Sequence, residues 1–183
     1  MKYLIMCEGP NEKAIIDILL QNDCLNFTED DLLGLTSYHA RQIKTSAQVR
    51  TELNIYPGEV IIYRVGDKQS DVLKIPAEYK GKIVGVEKFC TKPELEMLLI
   101  IAEQLTGAYE KVKSNVKPKD FVKMNIKCGR KKYDNSTSFY IDYFGSNPEL
   151  LVQCIKEYKK YNGSHGKDEH YLAELLKEMG RCH

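Results

Sequence analysis

Three features are missing from this sequence, and each absence removes a class of function. Charge of one sign is missing, because 27 lysines and arginines nearly balance 26 acidic residues, so bulk charge predicts no partner. No apolar stretch is long enough to span a membrane, and the N-terminal apolar run is too short for a signal peptide. The six cysteines are scattered, without a CxxC pair or zinc-type Cys/His spacing. We therefore expect a cytoplasmic protein with reduced thiols and no membrane partner.

The first hundred residues instead show an alternation of short apolar runs and helical patterns. The apolar runs predict buried strands at residues 2–8, 60–65 and 82–89. This alternation predicts an α/β fold, with a mostly parallel central sheet flanked by helices. The accompanying helices are expected at residues 11–22, 47–53 and 94–105.

The remainder of the chain differs in composition and in its pattern of apolar residues. A lysine-rich stretch is followed by an aromatic segment at 136–144, whose alternation predicts a strand. Helical patterns at 148–161 and 168–179 close the chain. The sequence therefore predicts a core at residues 1–108 and a C-terminal α+β extension, residues 109–183, packed on that core.

Acidic residues stand where the predicted strands end. Glu8 ends the first strand, and Glu12 follows one helical turn later. Asp67 ends the second strand, Asp71 follows four residues on, and Glu96 stands at the helix start after the third strand. Because the carboxyl ends of parallel strands meet at one sheet edge, we expect these carboxylates to gather. Such a cluster repels itself unless it holds a hard cation, so Mg²⁺ or Mn²⁺ is the expected cofactor.

Each of these acids also has an ordinary structural explanation. Carboxylates stabilise helix N-termini, so Glu94 is better explained as a first-turn charge than as a metal ligand. Glu12 fits a solvated helix face equally well, and Asp71 fits an ordinary loop. Glu8 and Asp67 are harder to explain in this way, because each ends an apolar strand beside a glycine.

These elements resemble the motifs of TOPRIM domains. The first strand with Glu8-Gly9-Pro10-Asn11-Glu12 resembles the first TOPRIM motif, and the strand before Gly66-Asp67 resembles the second, aspartate-bearing motif. Residues 93–98 resemble the acidic helix start of small stand-alone TOPRIM proteins and of overcoming-lysogenization-defect nucleases. The resemblance covers about residues 1–105 and implies a compact, Rossmann-like TOPRIM domain with Mg²⁺ or Mn²⁺ chemistry on nucleic-acid phosphates. It implies metal ligation by Glu8, Glu12, Asp67 and Glu96, and similar small proteins often serve in defence or mobile elements.

The second motif departs from the family pattern. The family has Asp-x-Asp, whereas this chain has Asp67-Lys68-Gln69-Ser70-Asp71. In a catalytic site, Asp71 would complete the metal ligands and Lys68, or a lysine of the basic stretch, would neutralise negative charge in the transition state. The wider spacing favours a member of the fold that binds without catalysing.

Lysines concentrate between residues 109 and 133 and have few acids among them. Lysines contact phosphates and aromatic rings stack on exposed bases, so this stretch favours a DNA or RNA partner. Tyr109, Phe121 and Tyr133 are the candidate stacking residues, and a solvated lysine-rich face is the alternative. The candidate nucleic-acid-binding residues are Lys111, Lys113, Lys117, Lys119, Lys123, Lys127, Arg130, Lys131 and Lys132. His39 and Arg41 are further candidates for contacting a phosphate.

Three functions remain open from the sequence. The first is a metal-dependent nuclease with Glu8, Asp67 and Lys68 as catalytic residues. The second is a non-catalytic module that binds nucleic acid or a protein partner, which includes a second copy of the chain. The third is an enzyme acting on a small phosphorylated metabolite. The basic stretch favours the first two, and a full set of strand-end acids favours the nuclease.

Overall fold

A five-stranded sheet forms the centre of the computed structural model, which describes residues 1–67, 72–161 and 168–178. In chain order its strands are β1 (Lys2–Cys7), β2 (Leu32–His39), β3 (Val60–Gly66), β4 (Ile83–Cys90) and β5 (Glu169–Tyr171). In space they lie in the order β2-β1-β3-β4-β5, and every pairing is parallel. The predicted α/β fold with a mostly parallel central sheet is confirmed.

The strand order creates a switch point between β1 and β3. The chain leaves β1 for β2 on one side of it and later returns to β3 on the other side, so the segments that follow these two neighbours diverge. Such a divergence opens a crevice at the carboxyl edge of the sheet, where ligands bind in open α/β folds.

Helices cover both faces of the sheet. On one face Val49 and Leu53 pack against Leu4 and Ile62 of the strands. The other face has the larger apolar cluster, which includes Ile15 and side chains from five further helices. The helices are α1 (Pro10–Gln21), α2 (Ala47–Ile55), α3 (Met97–Ala102), α4 (Thr106–Glu110), α5 (Pro118–Asn125), α6 (Thr137–Phe144) and α7 (Pro148–Tyr158). None of the helices in the described part of the chain is long and apolar enough to cross a membrane.

The chain after residue 108 is built into the same sheet and core. Strand β5 pairs with β4, and Phe139 and Leu151 belong to the apolar cluster that contains Ile15 of α1. A short antiparallel pairing of Lys127–Cys128 with Lys131–Lys132 connects α5 to α6. The C-terminal region therefore packs on the N-terminal one, whereas the division at residue 108 stays a prediction.

The predicted strand at 136–144 is wrong, because this segment is helix α6. Its aromatic content favoured a strand, but Phe139, Tyr140 and Phe144 are buried at helical spacing. The Ser136 hydroxyl accepts a hydrogen bond from the Phe139 backbone N–H at 3.2 Å and so caps the first turn. Tertiary burial of one helix face overrides the local preference for a strand.

The predicted closing helix is also wrong over its described residues. Glu169–Tyr171 is the edge strand β5, and one 3₁₀ turn, Leu172–Leu175, follows it. Hydrogen bonding to the edge of β4 extends the chain where leucine spacing alone predicted a helix. The helix expected at 94–105 is present only as Met97–Ala102.

Candidate functional site

Three chain segments meet at the carboxyl edge of the sheet. Cys7 of β1 is the partner of Val65 of β3, and the Glu8 backbone N–H donates to the Val65 carbonyl at 2.8 Å. The Thr91 N–H donates to the Gly66 carbonyl at 3.1 Å, which brings the chain after β4 to the same edge. The sequence prediction that these three strand ends lie together is therefore confirmed.

Four acidic residues border one pocket at this edge. The pocket has a volume of about 250 Å³, and we call it the carboxylate pocket. Glu12 comes from the first turn of α1, Asp67 follows β3, and Glu94 and Glu96 precede α3. The remaining lining residues are Asn11, Leu95, Lys119, Asn135 and Tyr140.

The carboxylates of the pocket influence one another's protonation. Burial raises the pKa of Glu12, and the negative charges of Asp67, Glu8 and Glu96 raise it further, against a lowering hydrogen bond from backbone. Burial also raises the pKa of Glu94, while the Lys119 backbone N–H donates to Glu94 at 3.2 Å and opposes that effect. The pocket is thus a place where negative charge is unfavourable without a cation.

Glu8 lies on a different side of the same edge. It is buried and lines a narrow crevice with Met6, Ala40, Arg41, Arg64 and Val65, which we call the arginine crevice. Arg41 Nη2 lies 3.8 Å from Glu8 Oε1, and Arg41 Nε donates to the Glu8 carbonyl at 3.2 Å. Arg41, a candidate phosphate contact from the sequence, therefore contacts Glu8 in this structure.

Gly66 is required where β3 meets the Glu8 side chain. A Cβ built on Gly66 would lie 2.5 Å from the Glu8 Cβ, which is closer than real carbon atoms approach. The glycine before Asp67 therefore makes room for Glu8, in addition to ending the strand.

Sequence reasoning missed the side chains that support the pocket from the C-terminal region. The Tyr133 hydroxyl donates to Glu96 Oε1 at 2.7 Å, and Asn135 and Tyr140 line the pocket. Tyr133 and Tyr140 are buried, with exposed fractions of 4% and 0%. No spacing in the sequence could have paired Tyr133 with Glu96, since 37 positions separate them.

The side chains of the basic stretch lie in different surroundings, and only some of them are free to contact nucleic acid. Lys119 lines the carboxylate pocket, Lys113 pairs with Glu110 at 2.6 Å, and Lys131 lies near two aspartates. The expected stacking role of Tyr109, Phe121 and Tyr133 is not available, because all three rings are buried. The exposed basic side chains are Lys111, Lys113, Lys117, Lys123, Lys127, Arg130 and Lys132.

Two of the predicted site residues, Lys68 and Asp71, lie outside the described residues. Across residues 1–67, 72–161 and 168–178, no three His, Cys, Asp or Glu side chains are grouped closely enough to hold a metal ion. Glu12, Asp67 and Glu96 thus share a pocket without being arranged as joint ligands in this structure.

Comparison with known proteins adds no relative. No protein-family model, no curated protein and no solved structure matches the chain.

Proposed function

We propose that the protein is a nuclease of TOPRIM-like type that uses Mg²⁺ or Mn²⁺ to cleave nucleic-acid phosphodiesters. The observation that carries this proposal is the convergence of Glu12, Asp67 and Glu96 on one pocket at the switch point of a parallel sheet. Ligand sites of open α/β folds collect at this position, and the mutual repulsion of the carboxylates favours a cationic ligand.

The donor atoms suit a hard divalent cation. The pocket offers carboxylate oxygens and the amide oxygens of Asn11 and Asn135, which are the ligand types that Mg²⁺ and Mn²⁺ prefer. Glu12, Asp67 and Glu96 are the residues that would hold it, after rotation of the Glu12 and Asp67 side chains brings their oxygens toward Glu96. A cation bound there would stabilise charge on phosphate oxygens and make water a better nucleophile.

The cationic side chains beside the pocket fit a phosphate substrate. Lys119 shares the pocket with the acids, so its ammonium group can neutralise charge on a phosphate oriented by them. The exposed lysines of α5 and its flanks would attract the remaining nucleic-acid backbone, with an affinity that falls as salt increases. The roles of Lys68 and Asp71 stay predictions from the sequence.

A non-catalytic nucleic-acid-binding module is the second candidate function. Two observations favour it: Arg41 forms an ion pair with Glu8, and the described acids are not grouped as metal ligands. An enzyme of small phosphorylated metabolites is less favoured, because it gives no role to the exposed lysines outside the pocket.

Cleavage assays distinguish these candidates. Labelled single- and double-stranded DNA and RNA are incubated with the wild-type protein, Glu12→Gln and Asp67→Asn, each with Mg²⁺ or Mn²⁺. Loss of a group that merely orients a metal ligand costs about 10–100-fold, so each substitution should reduce cleavage by at least about a hundredfold. Glu59→Gln is the matched control, because this exposed acid directly precedes β3, at the opposite end of that strand from Asp67.

The outcomes are distinct. Metal-dependent cleavage that survives both substitutions would exclude the proposed site. Salt-sensitive binding without cleavage of any substrate would support the second candidate instead.

A further inference from the structure

Tyr133 stands behind the carboxylate pocket and contacts one of its acids. Its ring packs edge-on against Phe139 and Tyr140, and its hydroxyl donates to Glu96 Oε1 at 2.7 Å. Glu96 lines the pocket but is only 7% exposed, so water has little access to replace this bond. The Tyr133 hydroxyl is therefore a principal determinant of how the Glu96 carboxylate points.

The neighbours of Tyr133 keep its hydroxyl available as a donor. The Tyr140 hydroxyl lies 3.2 Å away and Asn135 Oδ1 lies 2.9 Å away. Tyr133 has one proton, and a bond to an ionised carboxylate is stronger than a bond to a neutral amide. The proton is therefore directed to Glu96, and Tyr140 donates to Tyr133.

The same segment holds the opposite wall of the pocket. Asn11 Nδ2 donates to Asn135 Oδ1 at 3.3 Å, and the Thr137 hydroxyl donates to Asn11 Oδ1 at 3.1 Å. Asn11 precedes Glu12 in the first turn of α1. Residues 133–137 consequently connect the helix that carries Glu12 to the segment that carries Glu96.

We propose that Tyr133 is a positioning residue, which holds the Glu96 carboxylate in the orientation that a divalent cation in the carboxylate pocket requires. The inference rests on the proposed function, because it assumes that a cation binds in this pocket. Partners that orient metal-ligating side chains typically contribute 10–100-fold to metal affinity.

Binding of Mn²⁺ alone, measured by calorimetry without nucleic acid, tests the inference. Tyr133→Phe keeps the buried ring but removes the hydroxyl, and we expect Mn²⁺ affinity to fall by about tenfold or more. Tyr143→Phe is the matched control, because it removes a tyrosine–glutamate hydrogen bond, to Glu103 at 2.5 Å, whose residues do not line the pocket. Its Mn²⁺ affinity should match that of the wild-type protein.

A double-mutant cycle separates positioning from a general structural effect. If Tyr133 acts through Glu96, Tyr133→Phe will weaken Mn²⁺ binding in the wild-type background and add little in Glu96→Gln. Additive losses would overturn the positioning role, and so would wild-type affinity in Tyr133→Phe. In either case the proposed function stands, whereas absence of Mn²⁺ binding by the wild-type protein would overturn both proposals.

Tyr140→Phe provides a second variant in case Tyr133→Phe does not fold, as judged by circular dichroism and thermal melting. It removes the hydroxyl that donates to Tyr133 and should reduce Mn²⁺ affinity in the same direction but less. Unchanged affinity in folded Tyr140→Phe would count against the proposal.

Discussion

Two regions of the same sheet edge hold buried glutamates in different electrostatic surroundings. In the arginine crevice, Glu8 lies beside the cationic Arg41, and buried Arg64 lines the same crevice. In the carboxylate pocket, Glu96 accepts from the neutral hydroxyl of Tyr133 and shares its walls with further acids. Both glutamates are almost equally buried, at 8% and 7% exposed, so burial alone does not distinguish them.

The difference indicates where at this sheet edge the binding of a cation would be most favourable. A positive charge close to Glu8 already offsets its negative charge, whereas the charges around Glu12 accumulate and raise its pKa. Glu8 does not line the carboxylate pocket, but its negative charge is one of those that raise the pKa of Glu12. A bound cation would therefore lie nearer to Glu12, Asp67 and Glu96 than to Glu8. This shifts the centre of the candidate site from the end of β1 toward the first turn of α1.

The largest expected effect concerns the close packing of Glu8 on β3. Gly66→Ala would place a Cβ 2.5 Å from the Glu8 Cβ, so the glutamate or the strand must move. Overpacking of this kind costs about 1–3 kcal/mol, and we expect a loss of about 2 kcal/mol in the free energy of unfolding, measured in urea.

Gly81→Ala is the matched control for this substitution. A Cβ at Gly81 meets no heavy atom within 4 Å, so the change should stay within about 0.5 kcal/mol. Equal stabilities of the two alanine variants would show that Glu8 does not pack over Gly66, and the placement of Glu8 against β3 in the arginine crevice would be wrong.

A smaller effect tests the charge accumulation in the carboxylate pocket. Since the pKa of Glu12 is raised in the folded protein, the folded state binds more protons than the unfolded state above the ordinary value of 4.5. Stability therefore falls as pH rises through the window between that value and the raised one, and the penalty persists at neutral pH. Without divalent cations, Glu12→Gln should melt at a higher temperature than the wild-type protein near neutral pH.

The pH profile supplies the control for this comparison. Well below pH 4.5 Glu12 is protonated in both states, so the advantage of Glu12→Gln should disappear there. Glu59→Gln, at an exposed acid outside the helices, should follow the wild-type profile throughout. A Glu12→Gln variant that is less stable at neutral pH would mean that neighbouring acids do not penalise Glu12.

The acids at the strand ends could be predicted from the sequence, but their supporting contacts could not. An apolar run followed by Glu8-Gly9, or by Gly66-Asp67, marks a strand end locally, and parallel topology then brings such ends together. The bond between Tyr133 and Glu96 depends instead on how distant segments pack. The lysines around Tyr133 suggested an exposed stacking ring, whereas the fold buries it.

Local patterns also failed where the backbone or a neighbouring strand overrides them. Strand β2 was not predicted, because left-handed φ angles at Gly34 and Leu35, 72° and 57°, interrupt its apolar alternation. The edge of β4 holds Glu169–Tyr171 as a strand although the following leucines have helical spacing. Both errors concern edge strands, whose conformation depends on a single partner strand rather than on sequence periodicity.

The smallest effect concerns the ion pair of the arginine crevice. The Arg41 side chain is 58% exposed and its Nη2 lies 3.8 Å from the Glu8 carboxylate, so solvent screens the pair strongly. Arg41→Gln should therefore reduce the free energy of unfolding by less than about 1 kcal/mol, and the loss should shrink in high salt.

The same substitution, Arg41→Gln, removes a positive charge next to the acids, so Mn²⁺ affinity should rise, by roughly twofold for about 0.5 kcal/mol. Arg50→Gln, at an exposed arginine of α2, is the control that should leave Mn²⁺ affinity unchanged. Lower Mn²⁺ affinity in Arg41→Gln would instead indicate that Arg41 orients Glu8 for metal binding, and the two regions would then form a single site.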